Sequence, residues 1–359
     1  MKRFALALAF FLIAPLAMFA QMAAPEIPFD ADVNPVHLPP NMYLGEIAGV
    51  AVNAAGHIFV FSRGNTTGPA YGASAAQLLE FGPDGTYIRE IGHNLYGWSY
   101  AHGVRIDKEQ NIWVADKGSD VVVKFNPAGR VTMVLGRKQE ASAEEVGPLK
   151  HPKPPLPPVN GLFRQVTDMA WNAAGETFIS DGYLNSRVAK YDKNGNFMKS
   201  FGEPGEGPGQ LDTPHSIAVD PQGFVYVANR GNMRIEVYDG DGKYVRQIKI
   251  HEPFDYANSM PVIGNKVGMD FKGSAGPYSP WAVCITPGPN PVLYTADTFP
   301  GRVYKLSLDG KVLGMLGKAG RQPKEFGWIH AIACPSENTV YVAELLNWRV
   351  QKLTLHPKK

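Results

Sequence analysis

Residues 215–239 read HSIAVDPQGFVYVANRGNMRIEVYD. Three short runs of β-branched and aromatic residues (HSIAVD, FVYVAN, MRIEVYD) are parted by the turn sequences PQG and RGN. Apolar alternation between such turns is the signature of antiparallel strands joined by hairpins. The phrase recurs. Its first run returns as AGVAVN (48–53), HGVRID (102–107), TDMAWN (167–172), WAVCIT (281–286) and HAIACP (330–335). Its second returns as HIFVFS, NIWVAD, ETFISD, VLYTAD and TVYVAE, and its third, often introduced by arginine, as SRVAKYD, GRVYKLS and WRVQKLT. A DG or NG turn then opens a fourth run, as in DGTYIREIG and NGNFMKSFG. Four strands per unit of roughly 45 residues are propeller blades, and six of them predict an all-β, six-bladed β-propeller closed into a ring with short edges. The last unit lacks its fourth strand, which residues around Val33–Leu38 are expected to supply. One continuous domain over residues 25–359 follows.

Lys2 and Arg3 precede an apolar run from Phe4 to Met18, with Ala20 at a plausible cleavage point, so residues 1–20 read as a signal peptide. The mature protein is expected to be exported, periplasmic or extracellular. The apolar run is short for a membrane span and no second one follows. Net charge over the 359 residues is +2, without the basic stripe of a nucleic-acid binder. Nucleic acid is excluded as a partner, and a monomer is expected. The two cysteines, Cys284 and Cys334, sit in apolar strand patterns and read as buried free thiols, although an export compartment permits a disulfide. Insertions at 64–76, 137–160 and 251–279 break the period and are either functional walls or decoration.

Three of the nine histidines, His102, His215 and His330, open the first strand of the second, fourth and sixth units. Alternate blades of a six-fold ring lie about 120° apart, so side chains at that position converge on the axis. This is the geometry of a trigonal metal site. The intervening positions hold Ala48, Thr167 and Trp281. The start of strand one and the end of strand two open on the same mouth of the ring. Arg63, Tyr183 and Arg230 all follow strand two and should crowd the same end. Arg187, Arg234, Arg302 and Arg349 recur at one repeat position and read as structural ties between a blade and its neighbour. Arg63 and Arg230 lie outside that pattern, where other repeats carry Lys117, Gly182, Thr298 and Leu345.

The repeats resemble NHL repeats. More specifically, FVFSRGN, YAHGVRID, SDGYLNSRV, GQLDTPHSIA, VANRGNMRI and IHAIA resemble the peptidyl-α-hydroxyglycine α-amidating lyases over most of the chain. The resemblance implies zinc held by His102, His215 and His330. It also implies Tyr183 and Arg63 as catalytic groups, with Arg230, and Arg63 again, binding substrate. The implied reaction is carbon–nitrogen lysis of a small peptide or hydroxyglycine-like substrate, giving a peptide amide and glyoxylate. That family places an acidic residue of a calcium site directly after its last zinc histidine; here Ala331 follows His330, which speaks against calcium. Leu184 likewise stands where a family cysteine is expected. No monooxygenase sequence is present, so an enzyme that makes the hydroxyglycine is expected to be a separate chain. Two other readings are a metal-dependent propeller hydrolase or lactonase, and a non-catalytic NHL propeller that binds peptide or protein. A His-rich mouth suits carboxylate-rich calcium chemistry poorly.

Overall fold

A computed structural model describes residues 23–64, 76–138, 155–262 and 266–356 of the chain; the expected signal peptide lies outside them. Most of the described strands form six four-stranded antiparallel sheets, each meandering outward from an innermost first strand, and four two-residue strands form two parallel pairs. The innermost strands are Ile47–Val52, Ala101–Ile106, Asp168–Trp171, Pro214–Val219, Ala282–Ile285 and Ile329–Ser336. They pack in sequence order around a channel, and the last closes on the first. The chain is a six-bladed β-propeller.

The core is divided between the blades. An apolar cluster fills each gap between neighbours: Phe61, Trp98 and Phe125 between blades 1 and 2, Phe178, Ile217 and Tyr238 between blades 3 and 4. A sheet covered on both faces needs apolar residues on both, which is why second strands such as Ile58–Ser62 and Val225–Asn229 are buried at every position.

Two expectations need correction here. The strand that completes blade 6 is Phe29–Asp32, paired antiparallel with Arg349–Leu355, rather than Val33–Leu38. Segment 33–38 runs on toward blade 1, where the His37 amide donates to the Gly85 carbonyl. The recurrent arginines also tie differently. Arg187, Arg234 and Arg349 pair with Asp181, Glu236 and Glu344 of their own blades. Their remaining donors reach carbonyls of the segment entering the blade, as Arg187 reaches Val159 and Leu162. Arg302 instead pairs with Glu26.

The cysteines are not free: Cys284 and Cys334 form a disulfide between blades 5 and 6, with Cα atoms 6.1 Å apart. In blade 5 Cys284 lies opposite Tyr294, and in blade 6 the residue opposite Tyr341 is Ala333. Cys334 is therefore one step out of register with Cys284. Side chains alternate along a strand, so a one-residue offset turns the two sulfurs toward each other across the gap. The bridge closes a loop of 50 residues, for which chain entropy gives a stabilisation of about 4 kcal/mol. A Cys284→Ala/Cys334→Ala variant is expected to melt well below the parent. Denatured but unreduced protein should take up no thiol label, and two labels per chain would show the bond absent.

Candidate active site

The three histidines reach the axis because each sits in a β-bulge. Ala101 pairs with Asp116 and Gly103 with Ala115, which leaves His102 as the extra residue. The same irregularity isolates His215 between Pro214 and Ser216, and His330 between Ile329 and Ala331. A bulge re-aims the side chain it carries. Here it turns three rings inward until every pair of centroids is 4.6 Å apart, with their ligand nitrogens within 4.8 Å of one another.

The intervening repeat positions complete the arrangement. Nδ1 of His102 donates to the Thr167 carbonyl (2.8 Å), that of His215 to Trp281 (2.6 Å), and that of His330 to Ala48 (2.6 Å). Each bond runs to the next blade. A carbonyl only accepts, so Nδ1 carries the hydrogen and Nε2 keeps its lone pair. Nε2 of His102 and of His215 is buried and without a partner. Burial holds all three rings well below the usual imidazole range, and the nearby cations push the same way. Three neutral imidazoles with inward lone pairs fit a catalytic zinc, which takes three protein nitrogens and leaves a position open. Among the described residues no other trio of His, Cys, Asp or Glu side chains is drawn together in this way.

Beneath the rings the channel is plugged. Arg105, from the first strand of blade 2, donates to both Asp168 carboxylate oxygens of blade 3 (2.9 and 2.6 Å). It also reaches Ser216 of blade 4 and the carbonyls of Val283 and Ile332 in blades 5 and 6. One guanidinium thus joins five blades and closes the floor.

Above the rings stand the residues at the second-strand exits. Tyr183 packs edge-on to His102 and His215, with centroids 5.8 and 6.1 Å away. Gly182 permits this: a Cβ there would lie 2.4 Å from the Pro214 carbonyl oxygen. Arg230 donates to the Tyr183 oxygen at 3.3 Å and lies 3.9 Å over the Trp281 ring. Its Nε is buried and unpartnered. Arg63 pairs with Glu46 at 2.7 Å, donates to the Ala101 carbonyl and stacks 3.9 Å over Tyr100.

Lys117 was not singled out in the sequence, yet it is central here. Its Nζ sits 3.6 Å over the Tyr183 ring, and it hydrogen-bonds to Tyr183. The signal was legible: Arg63, Lys117 and Arg230 occupy one repeat position in blades 1, 2 and 4. Burial alone would raise the Tyr183 phenol, but Arg230, Lys117 and Arg63 together outweigh it and bring it down to about 8. Burial and the two arginines lower the Lys117 ammonium, against the pull of Tyr183. The arrangement is a phenol poised to lose its proton above three inward lone pairs, under a cationic rim. A cavity of about 610 Å³ lies elsewhere, between segment 33–44 and residues 347–350, and includes none of these groups.

The NHL repeat profile matches residues 211–238. The Xenopus laevis peptidyl-glycine alpha-amidating monooxygenase A is 29% identical over 333 residues, which cover 85% of this chain and 31% of that protein. The Drosophila melanogaster peptidyl-alpha-hydroxyglycine alpha-amidating lyase 1 is 24% identical over 343 residues, 87% of this chain and 57% of that one. The chain is similar to the amidating lyases over most of its length. It spans about a third of the length of the first curated amidating relatives it matches. The human NHL repeat-containing protein 3 is also similar, 28% identical over 56% of this chain and 54% of its own length. Among solved structures, the virginiamycin B lyase of Staphylococcus aureus superposes with a TM-score of 0.56 at 13% identity, over 92% of this chain and 100% of that one. A streptogramin B lyase gives 0.54 at 14% identity, over 91% and 98%. At such identities these two show the shared propeller fold.

Proposed function

We propose that the protein is an exported, zinc-dependent carbon–nitrogen lyase that splits peptidyl-α-hydroxyglycine-like substrates into a peptide amide and glyoxylate. The observation that carries this reading is the Tyr183 oxygen, hydrogen-bonded by Arg230 and Lys117 beside three buried imidazoles whose Nε2 atoms face one another. Nε2 of His102, His215 and His330 would hold the zinc, which when bound supplies Lewis acidity at the substrate hydroxyl.

The chain's own residues supply the rest. Tyr183, its phenolate favoured by two cationic donors, takes the hydroxyl proton. The carbon–oxygen bond becomes a carbonyl, the carbon–nitrogen bond breaks, and its electron pair stays on the amide nitrogen, which recovers the proton. Substrate and products contain the same atoms, so the step needs no water and no oxidant. Arg63 and Arg230 hold the substrate carboxylate and the charge developing on nitrogen. The Arg105 plug leaves the mouth as the way in.

The test is metal analysis of purified protein followed by glyoxylate release from a hydroxyglycine-capped peptide. One zinc per chain with steady release is the expected result. Zinc without release favours a propeller hydrolase or lactonase, and protein that binds no metal is a scaffold of the NHL type.

A further inference from the structure

The mouth has two unlike halves. Blades 1 to 4 contribute Arg63, Lys117, Tyr183 and Arg230, whereas the same exits of blades 5 and 6 carry Thr298 and Leu345. Over that uncharged half stands the described part of the 251–279 insertion. It is pinned to the site itself: Trp281 Nε1 donates to the Ser274 carbonyl at 2.9 Å, and Ser279 Oγ to the Arg230 carbonyl at 2.7 Å. Between insertion and blades lies a cavity of about 50 Å³, lined by Pro261, Val262, Val267, Phe299, Trp328 and Leu346 among others, none of them charged. A water needs at least about 10–15 Å³ on this measure, so the space suits on the order of four small groups, the size of a leucine side chain. The cavity is close to the chemistry. The Trp328 ring is 5.0 Å from that of Trp281, which is itself 4.7 Å from His215 and 3.9 Å under Arg230.

We infer that this cavity is the subsite for an apolar side chain on the residue preceding the α-hydroxyglycine. The inference rests on the lyase reading above. It follows from charge: the carboxylate and the peptidyl group sit on opposite sides of the bond that breaks. A carboxylate drawn to the cationic half directs the peptidyl part toward blades 5 and 6, where an uncharged, largely apolar lining receives it. An aliphatic side chain gains by leaving water there, and an acidic one loses its hydration without a partner.

The experiment compares N-acyl-Leu-, N-acyl-Gly- and N-acyl-Asp-hydroxyglycine as substrates of the zinc-loaded protein. Leu is expected to exceed Gly by about 10- to 100-fold in kcat/KM, with Asp lowest. Val262→Asp should collapse the Leu-to-Gly ratio to near one. N-acyl-leucinamide should change tryptophan fluorescence more strongly than N-acyl-glycinamide, a readout that needs no turnover. Equal kcat/KM for Leu and Gly, or a Val262→Asp loss that is the same for every substrate, overturns the subsite while leaving the lyase standing. Release from none of the three removes both.

Discussion

His215→Ala is expected to leave the protein folded, to cut bound zinc from one equivalent to a small fraction, and to lower glyoxylate release by about three orders of magnitude. Two imidazoles do not make a catalytic zinc site, and the Lewis acidity lost with the metal is worth several kcal/mol, each 1.36 kcal/mol being tenfold in rate. His215 is the informative member of the trio because it is held from two sides. Its Nδ1 bonds the Trp281 carbonyl, and its ring meets Trp281 at 4.7 Å. The alanine variant leaves that carbonyl short of a donor, which costs on the order of 1–3 kcal/mol. A fall in melting temperature is therefore expected with the loss of metal. Full zinc occupancy in the variant would defeat the metal assignment.

The reach of the sequence follows from what repeats encode. A repeat fixes which residues share a register position. The ring, the mouth and the histidine trio were legible for that reason, since all three are statements about register. Contacts that cross between blades are another matter. Arg105 sits mid-strand in HGVRID, where alternation reads it as an ordinary outward-facing residue; only the closed ring shows that its direction is the channel. The cysteines were misread on the same ground, because a one-residue offset looks like absence of register while in space it turns two side chains toward each other. Phe29–Asp32 was overlooked because FDAD carries little strand propensity of its own; its place comes from pairing with Arg349–Leu355, a partner more than 300 positions away. Lys117 failed for a different reason. It was taken as the background against which Arg63 and Arg230 stood out, when three cations among six equivalent exits already formed a pattern.

Tyr183→Phe should separate binding from chemistry more cleanly than any histidine change. The phenol oxygen is no part of the imidazole cluster, so the variant should keep its zinc in full. The ring should hold its place, since the edge contacts to His102 and His215 and the Lys117 ammonium 3.6 Å over its face do not involve the hydroxyl. What disappears is the acceptor on which Arg230 and Lys117 converge. A positioned acid–base group contributes about 10²- to 10⁴-fold, and that loss is expected in kcat. KM should change little, because Arg63 and Arg230 still meet the carboxylate. The alternative is that the cationic rim carries the reaction and Tyr183 only packs against it. In that case Tyr183→Phe would retain most of its kcat while Lys117→Met would lose it, and the base would have to be sought elsewhere in the mouth.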